Sequence, residues 1–125
     1  MLGLFGIFGR TQELRRLDHA LRGVGLHPRL VPEAVKLTTL KLLGEAGVRS
    51  DPASSVDAAE LLGYCMLGAQ GFTQHNDLRH TEAVENRLIA AVEAGDNLDA
   101  RIVLLALHAG VIQPSVVERY NLAVV

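Results

Sequence analysis

Tryptophan is absent, cysteine occurs once, and aromatic residues make up only 4% of the 125-residue chain. A single thiol cannot close an intramolecular disulfide, so the fold is not a disulfide-stapled scaffold, and the lone Cys65 suits a reducing, cytoplasmic setting. With so few rings, the core has to be built from Leu, Val, Ile and Ala, a palette that suits closely packed helices. No apolar run approaches the ~20 residues that a membrane-spanning helix needs. The opening MLGLFGIFGR is apolar, but no charged segment precedes it and no small-residue cleavage site follows, so it does not read as a signal peptide. A second-position glycine for myristoylation is also missing. Lysine is scarce, with ten Arg to two Lys, which reads as G+C-rich coding bias and points to a bacterial source. Clean period-two alternation is lacking as well, which argues against a sheet.

What remains is a chain of single-domain length, residues 1–125, punctuated by Gly and Pro into about six helical segments. The expected fold is an all-α, single-domain helical bundle of five to six helices. Leu14, Leu17 and Leu21 form one apolar stripe, with Gly23 and Gly25 behind it. A second helix starts at Pro32; Val35, Leu37, Leu40, Leu42 and Leu43 cover more than half its circumference, so it is expected to be central. A third follows Asp51 or Ser54 as cap and runs to about Leu67. Its mid-helix Gly63 costs roughly 1 kcal/mol against Ala and implies a close helix crossing. Further on, Val84, Leu88, Ala91 and Val92 point inward and Gly95 stops the helix. The segment near residues 98–109, capped by Asp96 or Asn97, is apolar nearly all round and is expected to be a buried core helix. Pro114 opens a last, short helix.

Net charge is −2 but unevenly spread. Residues 1–49 carry eight Arg and Lys against four Asp and Glu; residues 50–125 carry four against ten. A positive front half and a negative back half can complement each other within one chain or between two.

One stretch concentrates chemistry-bearing side chains: GFTQHNDLRHTEAVE, with His75, Asp77, His80, Glu82 and Glu85. His75 and His80 are five apart, about 140° around a helix, and do not share a face in a regular helix. Asp77 and His80 are three apart and can face together, the carboxylate-x-x-His spacing used in di-iron bundles. They are the candidate metal ligands, with Glu82 or Glu85 assisting. The same residues also suit helix starts: Thr73 as a cap, Asn76 and Asp77 in the next turn, a break near His80, and a second start at Thr81. Cys65 lies in an apolar run with no local base, so it reads as a buried hydrophobe rather than a nucleophile. His-Glu-x-x-His, phosphate-loop, Gly-x-Ser-x-Gly and Cys-x-x-Cys motifs are all missing, and no cofactor is implied.

At the other end of the chain, Ala106, Ala109-Gly110-Val111, Ser115-Val116 and Asn121 fall in the pattern ALHAGVIQPSVVERYN. This sixteen-residue stretch, 106–121, resembles the helix-turn-helix of lac-repressor-type DNA-binding domains. The resemblance implies two helices joined by a tight turn, with DNA as the partner of residues 114–121. Ile112 stands where that pattern usually has Ser, and the second helix offers one Arg against one Glu, whereas duplex binding requires several phosphate-neutralising cations.

Finally, Leu4, Phe5, Ile7 and Phe8 form an apolar run that can close the protein's own core or contact another molecule. The leading functional reading is a cytoplasmic, non-catalytic interaction or accessory module, a homodimer or the partner of another protein. Metal-dependent catalysis at Asp77 and His80 and DNA binding through residues 106–121 are the alternatives, and a membrane surface ranks below them.

Overall fold

The computed structural model describes residues 11–122, and the apolar run at Leu4, Phe5, Ile7 and Phe8 lies outside them. Six α-helices and one 3-10 turn make up the described chain, with no strand among the described residues. They are α1 (Gln12–Gly23), the turn Pro28–Leu30, α2 (Glu33–Glu45), α3 (Pro52–His75), α4 (Leu78–Ala94), α5 (Leu98–His108) and α6 (Pro114–Arg119). The all-α bundle expected from the sequence is the fold observed.

Helix α1 starts at a threonine cap, with Thr11 Oγ1 accepting from the Leu14 N–H at 3.2 Å. Its buried stripe is Leu14, Leu17 and Leu21, and it lies along α3. The crossing is tight at Gly63, where a Cβ would sit 2.8 Å from Val24 Cγ2. This is the close approach that the mid-helix glycine implied.

Helix α3, not α2, is central. It packs on α1, α4, α5 and α6, and Ala59, Leu61, Leu62, Tyr64, Cys65 and Phe72 are completely buried. Asp51 caps it by accepting from the Ala53 N–H. Helix α2 is peripheral: it meets α1 and α5 with one face, burying Val35, Leu40 and Leu43, while Leu37 is half exposed. One flank of that face carries the buried Lys36, whose Nζ reaches Asp18 at 3.1 Å and Glu33 at 3.4 Å. An apolar stem under a paired ammonium is a satisfactory core residue, so hydropathy alone misplaced this face.

Near Leu67, where the periodicity breaks, the helix bends instead of ending. Gly68 has φ 77° and ψ 173°, a region essentially confined to glycine. The bend exposes carbonyls that a straight helix would use. Gln113 takes two of them: its backbone N–H donates to Cys65 O at 2.8 Å and its Nε2 to Met66 O at 3.0 Å. Past the bend, α3 continues to His75. Asn76 Nδ2 then ties its end to the turn after α1 by donating to Val24 O (3.1 Å) and Phe72 O (2.9 Å).

Helix α4 returns alongside α3 and stops at Gly95, in the left-handed region at φ 79°. Val84, Leu88 and Ala91 point inward as expected, but Val92 is exposed. Asn97 caps α5 through the Ala100 N–H at 2.8 Å. Helix α5 buries Ala100, Ile102, Val103 and Ala106 but leaves Leu104 42% exposed. It lies between α2, α3 and α4, so burial is complete on the sides that meet those helices and ends on the fourth side.

The bend gives a clear contrast between glycines. Gly68→Ala forces an L residue into the glycine-only region, 3.4 Å from Ser115 Oγ, and is expected to cost on the order of 1–3 kcal/mol. At Gly23, a helical position where a Cβ meets nothing within 4 Å, Ala is expected to be neutral or to stabilise by up to about 1 kcal/mol. Urea denaturation of the two variants measures the difference.

Candidate functional site

The residues singled out in 75–85 fall around the α3–α4 turn, and the structure gives each a separate job. The chain breaks at Asn76–Asp77, earlier than His80. Asp77 is the cap of α4: its Oδ1 accepts from the His80 backbone N–H at 2.6 Å. Its carboxylate therefore meets the His80 backbone. The ring turns away, with Nε2 at 2.5 Å from Glu60 Oε2 and its edge against Phe72. Thr73 is inside α3, not at its start, and its hydroxyl donates back to Ala69 O. Thr81 lies buried in the first turn of α4, donating to Asp77 O. His75 packs over Gly25. Among the described residues, no group of three or more His, Cys, Asp or Glu side chains is placed to hold a metal ion.

Two polar networks join residues that are far apart in sequence. In the first, Glu60 bridges His80 and Arg87. Arg87 Nη1 donates to Glu60 Oε1 at 3.0 Å, while its Nε and Nη2 grip both Asp99 oxygens at 3.2 and 3.1 Å. This ties α3, α4 and α5 together through one planar guanidinium. In the second, the buried Tyr64 hydroxyl donates to Glu85 Oε2 at 2.7 Å. Its single proton is thereby committed, so the 2.9 Å contact with Tyr120 has Tyr120 as donor. Arg119 Nη1 donates to the same Glu85 oxygen at 2.7 Å. Sequence reading missed both networks; the chemistry-bearing types were visible, but nothing local pairs residues 12 or more positions apart.

The second network closes one end of a surface groove of about 600 Å³ between the second half of α3 and the first half of α4. Its walls carry Gln70 and Gln74 from α3 and Leu78, Glu82 and Glu85 from α4, with Arg119 at the end. Thr73 and Thr81 form the floor, their hydroxyl oxygens 3.0 Å apart. Both hydroxyls are engaged within the protein, so the side chains free to meet a ligand are those of the walls.

A smaller, more apolar cavity of about 190 Å³ opens between α4 and α5. Val92, Val103, Leu104, Leu107 and Leu122 line it.

The helix-turn-helix stretch forms two helices around Gly110, which is left-handed at φ 72°. The second, α6, is six residues long. Gln113 in front of it is committed to the bend in α3, and Arg119 at its end is committed to Glu85. No described helix is long and apolar enough to cross a membrane.

No protein-family model matches the chain, and no curated protein or solved structure is significantly similar to it.

Burial pushes the Cys65 thiol up to about 12, so it stays a thiol at neutral pH and is a poor nucleophile. Burial, with Tyr120 and Glu85 beside it, holds the Tyr64 phenol well above the ordinary tyrosine value of 10.0. Folding therefore favours both neutral forms. The stabilisation that Tyr64 contributes is complete below pH 10.0 and is lost as the pH rises toward its folded-state value, because the unfolded chain releases a proton that the folded chain keeps. Cys65 acts with the same sign from its ordinary 9.0 upward. Denaturation midpoints measured across this alkaline range are expected to fall with pH, and Tyr64→Phe should make the fall shallower. An unchanged slope in Tyr64→Phe would show that the phenol is not the group responsible.

Proposed function

We propose that the protein is a non-catalytic interaction module that pairs with a second copy of itself through the α4–α5 face. The observation that carries this reading is the apolar seam on that face. Ile89 and Val92, three residues apart on α4, and Leu104 on α5 are each more than 40% exposed, and the cavity between the two helices has mostly apolar walls. Single exposed apolar residues are ordinary on a surface; a contiguous set around a cavity is what interaction sites present.

The flanks of the seam favour a second copy as the occupant. Exposed Glu93 and Asp96 lie on the α4 side, and exposed Arg101 and His108 on the α5 side. A two-fold rotation about the seam sets the acidic flank of one copy against the basic flank of the other, which is the self-complementarity that a two-fold contact requires. The non-catalytic part of the reading rests on Tyr64 and Cys65, both held in unreactive protonated forms. A cytoplasmic, bacterial setting agrees with the lone buried thiol and the Arg-rich composition.

Sedimentation velocity of the full chain over a wide concentration range is expected to show a monomer–dimer equilibrium. Val92→Glu with Leu104→Glu, both exposed positions, should raise the dissociation constant at least tenfold, about 1.4 kcal/mol, with helicity unchanged. Phe5→Glu should leave the dimer intact. Monomers at every concentration would remove the self-association. Dissociation by Phe5→Glu alone would move the contact to the apolar run at Leu4, Phe5, Ile7 and Phe8.

A further inference from the structure

The groove between α3 and α4 shares one flank of α4 with the dimer seam, about 10 Å along the helix from it because Glu82 and Ile89 are seven residues apart, and is chemically different from it. Its lining residues carry three charges, and two of them cancel: Arg119 is 2.7 Å from Glu85. Glu82 is left as the uncompensated charge, exposed and without an ion pair among the described residues. The groove therefore presents a negative potential, and anionic ligands such as phosphate esters are disfavoured. No aromatic ring lines the walls, so the stacking surface that a nucleobase or sugar usually needs is missing.

What the walls do offer is a ladder of amides. Gln70 and Gln74 sit one helical turn apart, about 6 Å along the axis. Each has two N–H donors and a carbonyl acceptor, and neither side chain has a partner among the described residues. An extended peptide presents its backbone groups on one side every two residues, about 6.6 Å. The two repeats nearly coincide, so successive outward-facing peptide groups can meet Gln70 and then Gln74. Because α3 and α4 run antiparallel, with Thr73 facing Thr81, Glu82 lies across from this ladder and Leu78, 64% exposed, marks the end away from Arg119.

We infer that this groove binds an extended, positively charged peptide segment, with Gln70 and Gln74 holding its backbone and Glu82 pairing with a lysine or arginine side chain. This inference does not depend on dimerisation.

The test is fluorescence anisotropy with the full chain and a labelled, alternating lysine–alanine peptide of about eight residues, roughly 26 Å when extended. Saturable binding is expected, weakened by salt. Glu82→Gln should weaken it about tenfold and Gln70→Ala with Gln74→Ala several-fold. All three are surface positions, and circular dichroism checks that each variant is folded. The dimer-seam pair Val92→Glu with Leu104→Glu should still bind saturably, at least as tightly because its added charges are negative, which separates failure here from failure of the dimer reading. A glutamate–alanine peptide should not bind. A linear polyamine of equal charge should compete poorly, because it offers no amide groups. Three results overturn the proposal: no saturable binding to the lysine peptide, equal binding by Glu82→Gln, or a polyamine that competes as well as the peptide.

Discussion

Much of the architecture depends on the pairing of Gly68 with Gln113. A bend in the central helix frees backbone carbonyls, and buried carbonyls need partners. Gln113 supplies two donors from one residue, its backbone N–H and its side-chain amide, to consecutive carbonyls of α3. That bond pair fixes where α6 begins. Arg119 and Tyr120, at the far end of the same segment, then close on Tyr64 and Glu85. The C-terminal segment is thus a strap over the bend, held at both ends by hydrogen bonds and in the middle by the buried Val116. Without the bend, the second half of α3 would not lie where α4 can return along it, and the groove between them would not exist.

The strap also accounts for where the helix-turn-helix stretch sits. The Gly110 turn is present, as the Ala109-Gly110-Val111 triplet implies. Around the helix that follows, Gln113 bonds to α3 and Arg119 pairs with Glu85 on α4. The charges elsewhere behave in the same way. Lys36 pairs with Asp18 and Glu33 within the basic front half, while Arg87 and Arg119 pair with Glu60, Asp99 and Glu85 within the acidic back half. The described pairs do not join the two halves. The front half therefore keeps a surplus of exposed arginines and the back half a surplus of exposed acids, available to meet another chain instead of cancelling within this one.

Local signals in the sequence were read better than non-local ones, for a physical reason, although Thr73 lies inside α3 where a cap was expected. Caps and stops are decided within a turn of chain, so the stop at Gly95 could be read directly and the caps narrowed to neighbours, Asp51 or Ser54 and Asp96 or Asn97, of which Asp51 and Asn97 form. Gly63 was legible as a close crossing because a mid-helix glycine needs compensation. The bend at Gly68 left only an interrupted periodicity, which marks a helix end equally well; what distinguishes the two is Gln113, 45 residues later. Lys36 and Leu37 exchanged their expected places because a paired, long-stemmed cation can be buried and a leucine on the free side of a peripheral helix cannot. Asp77 and His80 shared the right spacing for joint ligation, but the same spacing lets an aspartate cap the helix. Here the cap is formed, and the His80 ring goes to Glu60, a residue that no local pattern connects with it.

Helix α4 is where these constraints meet. Its inward residues Val84, Leu88 and Ala91 are nearly completely buried against the bundle, and Arg87 and Glu85 lock it to α3, α5 and the strap. One outer flank, the stripe Leu78, Glu82, Glu85, Ile89 and Val92, runs from the groove with α3 to the face beside α5, while Arg87 on the opposite flank is tied to Glu60 and Asp99. The two surfaces therefore lie end to end on one helix and share its frame. On the proposed reading, a segment held in the groove lies at a fixed place beside the α4–α5 face, set by the helix between them.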